Sequence, residues 1–160
     1  MGLAICSVLG IDISEVKEGL HEVNFPERRL SFHKSIANSI LIDDSYNSNP
    51  ASMRGSIDLI ASMNNYKKIC LFGGMKELAE GSSLLHLEVY EYAKGKVDYF
   101  HCIGEEWNAI QDSDNTNFKI FSSHEKLYES VKDLINVDTV ILVKGSRSTR
   151  MDIVADKLKQ

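Results

Sequence analysis

Two acids side by side at the end of an apolar run make poor core residues and good ligand residues. The chain has such a pair in Asp43 and Asp44, which follow Ser39-Ile40-Leu41-Ile42 and lead into Ser45-Tyr46-Asn47-Ser48-Asn49-Pro50-Ala51-Ser52. A β-branched run that stops at acids, an Asn-rich turn and a proline reads as a strand end feeding a helix. In open α/β sheets, ligands collect at the carboxyl ends of strands. A second constellation is Val143-Lys144-Gly145-Ser146-Arg147. A strand ending in Lys-Gly-Ser-Arg before a helix gathers cations and free backbone N–H groups at one sheet edge, which suits a carboxylate or a phosphate. The plainer alternative is a capped helix with solvated basic residues. A third is Phe72-Gly73-Gly74, where glycine allows positive φ or a close backbone approach, or simply a tight turn. His86 follows on a predicted helix, where a satisfied structural histidine is the commoner role.

The elements that must position these groups alternate along the chain. Helices are expected over 2–9 and 14–21, the second capped by Ser14. Strands follow at 29–35 and 37–44, then a helix from Pro50 to Met63 with the proline early, where its missing N–H is harmless. A buried strand over 68–72 precedes a helix capped by Ser82 or Ser83 and running to Lys94. Strand 97–103, a brief helix over 105–111, a polar loop at 112–117 and a short strand at 119–121 come next. Helix 123–135, strand 139–143 and helix 149–159 complete the order. Strands separated by helices predict an α/β fold: a Rossmann-like, doubly wound, mainly parallel sheet of five or six strands. An antiparallel strand is expected from Arg29–Ser35. Residues 1–24 are expected to form a short helical appendage, either an extension or the trailing end of a preceding domain, with the boundary near Asn24-Phe25-Pro26.

Composition narrows the function. With 160 residues, one domain, or one domain and a short piece of another, is expected, and 43% hydrophobic content supplies a core. A net charge of −5 leaves no basic stripe for phosphate backbones, so no nucleic-acid partner is expected. Cys6, Cys70 and Cys102 have neither metal-ligand nor disulfide spacing and fit a reducing cytosol. No apolar run reaches the roughly 18 residues needed to span a bilayer. The start Met1-Gly2-Leu3-Ala4 does not read as a signal peptide. The expectation is a soluble cytoplasmic protein with no membrane partner.

The stretch from Asp43 to Ser52 resembles the D-D-(S/A)-Y-N-A-N-P-x-S signature that opens the C-terminal domain of Mur ligases. Phe72-Gly73-Gly74-Met75-Lys76-Glu77-Leu78 through Ser83, with His86, resembles the G-D-M-x-E-L-G-x-x-S…H stretch of the D-alanyl-D-alanine-adding branch, with Gly74 in place of the Asp. Any role of that carboxylate is then absent or reassigned. Val143 to Met151 is similar to V-K-G-S-R-x-x-x-M-E. Phe25-Pro26-Glu27-Arg28-Arg29-Leu30 is similar to the interdomain linker P-x-G-R-L/M-E, with Arg28 replacing its Gly and Arg29 matching its arginine. The segment from Ala4 to Leu20 looks like the last helices of the family's central domain. These segments run in family order and together cover nearly all of residues 2–155.

The resemblance implies a domain division of 1–24, the trailing helices of the central domain, and 25–160, the C-terminal domain. It implies an amide-forming ligase of peptidoglycan precursor synthesis, in which ATP converts a peptide carboxylate into an acyl phosphate that an amine attacks. The implied substrates are a UDP-linked muramoyl tripeptide and D-alanyl-D-alanine, and the implied partners are the N-terminal and central domains of the same ligase. By the same resemblance Asp44 holds ribose hydroxyls, while Arg29 is catalytic at the γ-phosphate. Tyr46, Asn47 and Asn49 line the nucleotide; Lys144, Ser146 and Arg147 line the amine substrate. Asp43 is the weaker acid and reads as a strand-end cap. No G-x-x-x-x-G-K-[ST] occurs, and Lys144-Gly145-Ser146 runs in the wrong order for one. In the family the phosphate loop and the Mg²⁺ ligands belong to the central domain. ATP with Mg²⁺ is therefore expected to be held mainly there, with no metal ligand here. The chain is expected to carry the mobile half of a split site and to catalyse nothing alone. Asp44 and Arg29 read as site residues and not core, so alanine at either is expected to leave the domain folded. Two rivals stand beside this. A receiver-like phosphoacceptor domain would use Asp43, Asp44 and Lys144 but needs a third Asp where Phe72-Gly73-Gly74 stands. A non-catalytic α/β binding module is the other.

Overall fold

The computed structural model describes residues 26–160. The helices expected over 2–9 and 14–21, Cys6 and the boundary near residue 25 lie outside the described residues. In chain order the elements are β1 (Ser31–Lys34), β2 (Ile40–Asp44), α1 (Pro50–Ala61), β3 (Lys67–Gly73), α2 (Ser82–Ala93), β4 (Tyr99–Ile103), β5 (Phe118–Phe121), α3 (His124–Glu129), β6 (Thr139–Lys144) and α4 (Asp152–Leu158). The six strands form one sheet in the order β1-β2-β6-β3-β4-β5. Only β1 is antiparallel, pairing Ser31 with Asp43 and Lys34 with Ile40. The remaining pairs are parallel. The expected mainly parallel sheet with an antiparallel strand near residues 29–35 is therefore present.

Strand order explains why the sheet is covered twice. The chain leaves β2, skips one place to β3, then steps outward to β4 and β5. It comes back to insert β6 between β2 and β3. Right-handed crossovers running in opposite directions put their helices on opposite faces. Under one face, Ile42, Met53, Ile57, Phe72, Val89, Tyr90 and Leu142 pack with α1 and α2. Under the other, Leu41, Leu71, Leu127, Val143, Val154 and Leu158 pack with α3 and α4. All six residues of β6 are buried, as a central strand covered on both sides must be. No helix among the described residues is long and apolar enough to cross a membrane.

Several boundaries differ from the sequence expectation, each for a local reason. The helix expected over 123–135 stops at Glu129 and resumes as a 3-10 turn at Lys132–Leu134. At the break the Ser130 hydroxyl donates to the Leu127 carbonyl at 2.7 Å, the back-bonding that weakens helix propagation. The final helix begins at Asp152 rather than Thr149, because Arg150 takes a left-handed conformation after a 3-10 turn at Arg147–Thr149. Neither Ser82 nor Ser83 caps α2: Gly81 holds that position, after a 3-10 turn at Ala79–Gly81, and no side chain caps it. The 105–111 segment is only a 3-10 turn at Glu105–Trp107.

Candidate functional site

Alternation along a strand sends neighbouring side chains to opposite faces, so Asp43 and Asp44 do not act together. Asp43 is fully buried on the α4 face. Its Oδ1 accepts from the Ser45 amide at 3.1 Å and the Ser45 hydroxyl at 2.6 Å. Its Oδ2 accepts from Lys159 at 2.8 Å and Arg28 at 3.4 Å. It is a strand-end cap tied to the last helix. Arg28 adopts φ 61°, the left-handed region that the family's glycine would enter freely. Its guanidinium binds Asp43 and Asp156, 2.9 Å from the latter, and the Asp156 hydrogen bond raises its pKa further.

Asp44 faces α1 and lies opposite Lys144 in the β2–β6 register. The two residues are 100 positions apart in sequence, yet Lys144 Nζ reaches Asp44 Oδ2 at 2.5 Å. Both are buried, Lys144 2% and Asp44 8% exposed. Asp44 also accepts from Ser56 of α1 at 2.9 Å and from the Leu30 amide at 3.1 Å. Lys144 donates a second hydrogen bond to the Asn47 carbonyl at 3.0 Å. A buried ion pair is tolerable when its remaining donors and acceptors are satisfied in this way. Asp44 is thus a structural residue as well as a cleft residue, which corrects its reading as site and not core. Lys144 stands with Asp44 rather than with Ser146 and Arg147, the group it was placed in from the sequence.

The pair forms the floor of a cleft of about 540 Å³ whose wall includes Arg29, Tyr46, Asn47, Asn49 and Ser56. The exposed Arg29 guanidinium stacks over the Tyr46 ring, 4.3 Å from its centroid, a cation–π contact that holds both side chains at the rim. Asn47 turns its own Oδ1 to the Ser48 amide at 2.9 Å. Asn49 is the N-cap of α1: its Oδ1 accepts from the Ser52 amide at 2.9 Å, and Ser52 Oγ accepts from the Asn49 amide at 3.1 Å, closing a capping box ahead of Pro50.

Ser146 is buried and binds three strand ends together. Its Oγ lies 3.2 Å from Ser48 Oγ and accepts from the Lys76 amide at 2.9 Å, while its own amide donates to Gly74 at 3.3 Å. Arg147 is exposed and lines a second depression of about 420 Å³ with Tyr46, Asn47, Lys76, Glu77 and Ser146. The structure therefore brings Asp44, Arg29, Tyr46, Asn47, Asn49 and Lys144 to one cleft, and Ser146 and Arg147 to its neighbour. Tyr46 and Asn47 are common to both.

Gly73 and Gly74 have negative φ, so close approach and not a left-handed turn explains them. A Cβ on Gly73 would collide with Thr149 and Met151; one on Gly74 would collide with the Glu106 carboxylate, whose Cδ would be 2.8 Å away. Glu106 is paired with Lys76. Burial opposes its ionisation, but the Lys76 hydrogen bond prevails and the carboxyl titrates below its usual range. His86 is structural. Its Nδ1 donates to the Ser82 carbonyl at 2.7 Å, its Nε2 accepts from the Met75 amide at 2.9 Å, and the ring packs edge-on against Trp107. Burial lowers its pKa, so it stays neutral and pins the loop after β3. Lys76, Glu106 and Ser56 were missed in the sequence. The one signal for Glu106 was the missing acid at position 74.

No group of three or more His, Cys, Asp or Glu side chains poised for a metal occurs among the described residues. With Asp43 and Asp44 on opposite faces and both committed to cations, the acid cluster of a phosphoacceptor does not form. Fold and cleft together define a doubly wound α/β domain with a cleft at the carboxyl edge of its sheet. Residues 28–147 match the family described as "Mur ligase, glutamate ligase domain", and the chain belongs to that family. It is 35% identical over 98% of its length to the UDP-N-acetylmuramoyl-tripeptide–D-alanyl-D-alanine ligase of Buchnera aphidicola. It is 32% identical over 98% of its length to the same-named ligase of Escherichia coli. It spans about a third of those relatives, 35% of each. A crystal structure of MurF from Acinetobacter baumannii superimposes with a TM-score of 0.79 at 27% identity, covering 97% of this chain and 35% of that one. The MurF ligase of Thermotoga maritima, at 24% identity and a TM-score of 0.80 over 97% of this chain and 35% of its own, shares the fold.

Proposed function

We propose that this chain is the C-terminal domain of an ATP-dependent ligase that joins D-alanyl-D-alanine to UDP-N-acetylmuramoyl-tripeptide through an acyl phosphate, in cytoplasmic peptidoglycan precursor synthesis. One observation carries the reading. Over 98% of its length the chain aligns with about a third, 35%, of proteins that bear this activity in their names. The cleft supports it. An ionised carboxylate has about four acceptor sites, and Asp44 uses three of them. The free site on Oδ1 is open to a ribose hydroxyl. Lys144 holds that carboxylate in place, Tyr46 offers a ring face, and Asn47 and Asn49 flank the nucleotide side. Arg29 at the rim is free to swing from Tyr46 toward a transferring phosphoryl group, where its charge would lower the barrier. Ser146 and Arg147 in the neighbouring depression face the amine substrate.

The donors among the described residues do not fit Mg²⁺. The cleft acid is already paired with Lys144, so ATP and its metal are assigned mainly to the central domain of the same ligase, and no step here runs through the metal. Domain closure then completes a site that neither half forms alone. Residues 1–24 read in this scheme as the end of the central domain. The deciding experiment gives the complete ligase ATP, Mg²⁺, UDP-N-acetylmuramoyl-tripeptide and D-alanyl-D-alanine. It is expected to release ADP and the muramoyl pentapeptide, and absence of that product overturns the proposal. The 160-residue chain by itself is expected to show no ATP hydrolysis and only weak ATP binding by calorimetry. Measurable turnover or tight binding would contradict the split site.

A further inference from the structure

The space beside Gly74 is taken by a carboxylate from the 3-10 turn that follows β4. Gly74 ends the run after β3, Gly104 ends β4 at φ 126°, and the Glu106 carboxylate sits between them. A Cβ on Gly104 would stand 2.6 Å from Glu106 Oε2, so a side chain at either glycine would expel the acid. Seated there, Glu106 pairs through Oε1 with Lys76, while Oε2 is buried and has no hydrogen-bond partner among the described residues. Burial of an unpaired carboxylate oxygen is unfavourable, and it is retained where it fixes the cation beside it. The Lys76 backbone is fixed as well, by its amide bond to Ser146 Oγ at 2.9 Å. A lysine at an exposed loop position is normally a mobile, solvated charge. Here it is held at both ends.

The ammonium so placed borders two depressions, the 420 Å³ one it shares with Arg147 and Glu77 and a smaller one of about 340 Å³ that it shares with Glu106 and Ser148. Arg147 has no ion-pair partner among the described residues. A rim with two cations and Glu77 complements a small zwitterion. It suits a nucleoside triphosphate poorly, since Glu77 would repel the phosphates. We infer that Lys76, oriented by Glu106 in the Gly74–Gly104 slot, is a specificity residue that together with Arg147 receives the carboxylate of the incoming amine substrate. This rests on the ligase reading above, with D-alanyl-D-alanine as that substrate. Lys76 is the contact residue and Glu106 its positioning residue.

Steady-state kinetics on the complete ligase test it, with D-alanyl-D-alanine and its C-terminal amide as alternative substrates. Wild-type turnover of the free dipeptide first establishes the ligase reading; without it both readings fall together. Given turnover, Lys76→Ala is expected to raise the dipeptide KM roughly tenfold or more, the loss expected of one charge-assisted hydrogen bond, with the ATP KM unchanged. Lys76→Arg is expected to restore most of the affinity. The amide should be a poor substrate for wild type and no poorer for Lys76→Ala. Glu106→Gln, which keeps shape, is expected to raise the dipeptide KM less than Lys76→Ala does and to add nothing in the double variant. A Lys76→Ala enzyme with a wild-type dipeptide KM, an equal rise in the ATP KM, or full acceptance of the amide overturns the inference and leaves the ligase reading standing.

Discussion

Asp44 and Lys144 share one buried contact, and each is the other's only charge partner among the described residues. Removing one charge of such a pair strands the other in the interior, a loss of about 3–5 kcal/mol. Asp44→Ala is therefore expected to shift the urea midpoint strongly, and Asp44→Ala with Lys144→Met to recover much of it. A single variant that unfolds at the wild-type midpoint would show the pair to be solvated. Arg29 is the opposite case. It is exposed and touches the domain through the Tyr46 ring, a contact worth about 0.5–1 kcal/mol at such a site. Arg29→Ala is expected to leave the melting temperature nearly unchanged while turnover of the complete ligase falls and the ATP KM moves little. That split marks an interaction made in the transition state. An unchanged kcat would remove Arg29 from the reaction.

At the scale of elements, the turn between β2 and α1 carries both the cleft wall and the start of the helix. Asn49 serves the second role directly, since its side chain satisfies an orphan amide of the first turn. Asn49→Ala is expected to lower stability by about 1 kcal/mol, and Asn49→Ser to keep most of it, because serine caps nearly as well. Chemical denaturation of the two variants measures this, and equal loss in both would mean that the asparagine acts other than as a cap. The loop after β3 is held similarly from outside itself, by His86 below and Ser146 beside it. Local propensity alone would leave that loop free. Its position comes from hydrogen bonds to residues on α2 and the end of β6.

Across the whole molecule, two buried histidines couple stability to pH. His101 lies under the α3 side, its Nδ1 2.9 Å from Ser130 Oγ and its Nε2 buried without a partner among the described residues. Burial, with Lys119 adding to it, pulls its pKa from 6.5 to about 4. The unfolded chain then takes up the proton first as pH falls. The stabilisation is complete above about pH 6.5 and is lost progressively as pH drops toward 4. At 1.36 kcal/mol per unit its full extent is about 3 kcal/mol. His86 shifts in the same direction, also through burial. Unfolding free energies at pH 7 and pH 4.5 are expected to differ by less in His101→Asn than in wild type. An identical difference would mean that acid instability arises elsewhere.

Much of this protein was written in short stretches of its sequence. The alternation of strands and helices, the proline-led start of α1 and the order of the three motifs follow from residues within a few positions of each other, because backbone propensity, capping and periodicity act over that range. Period-two alternation puts Asp43 and Asp44 on opposite faces of the strand that holds both. What it could not say was which of them met the cleft, since that depends on which helix covers which face. The tertiary structure decided this by inserting β6 between β2 and β3, which set Lys144 against an acid 100 positions away. It also seated Glu106 in the space that Gly74 leaves open. Both contacts depend on strand order. Strand order is chosen by burying all the apolar faces at once, and no local segment carries that sum.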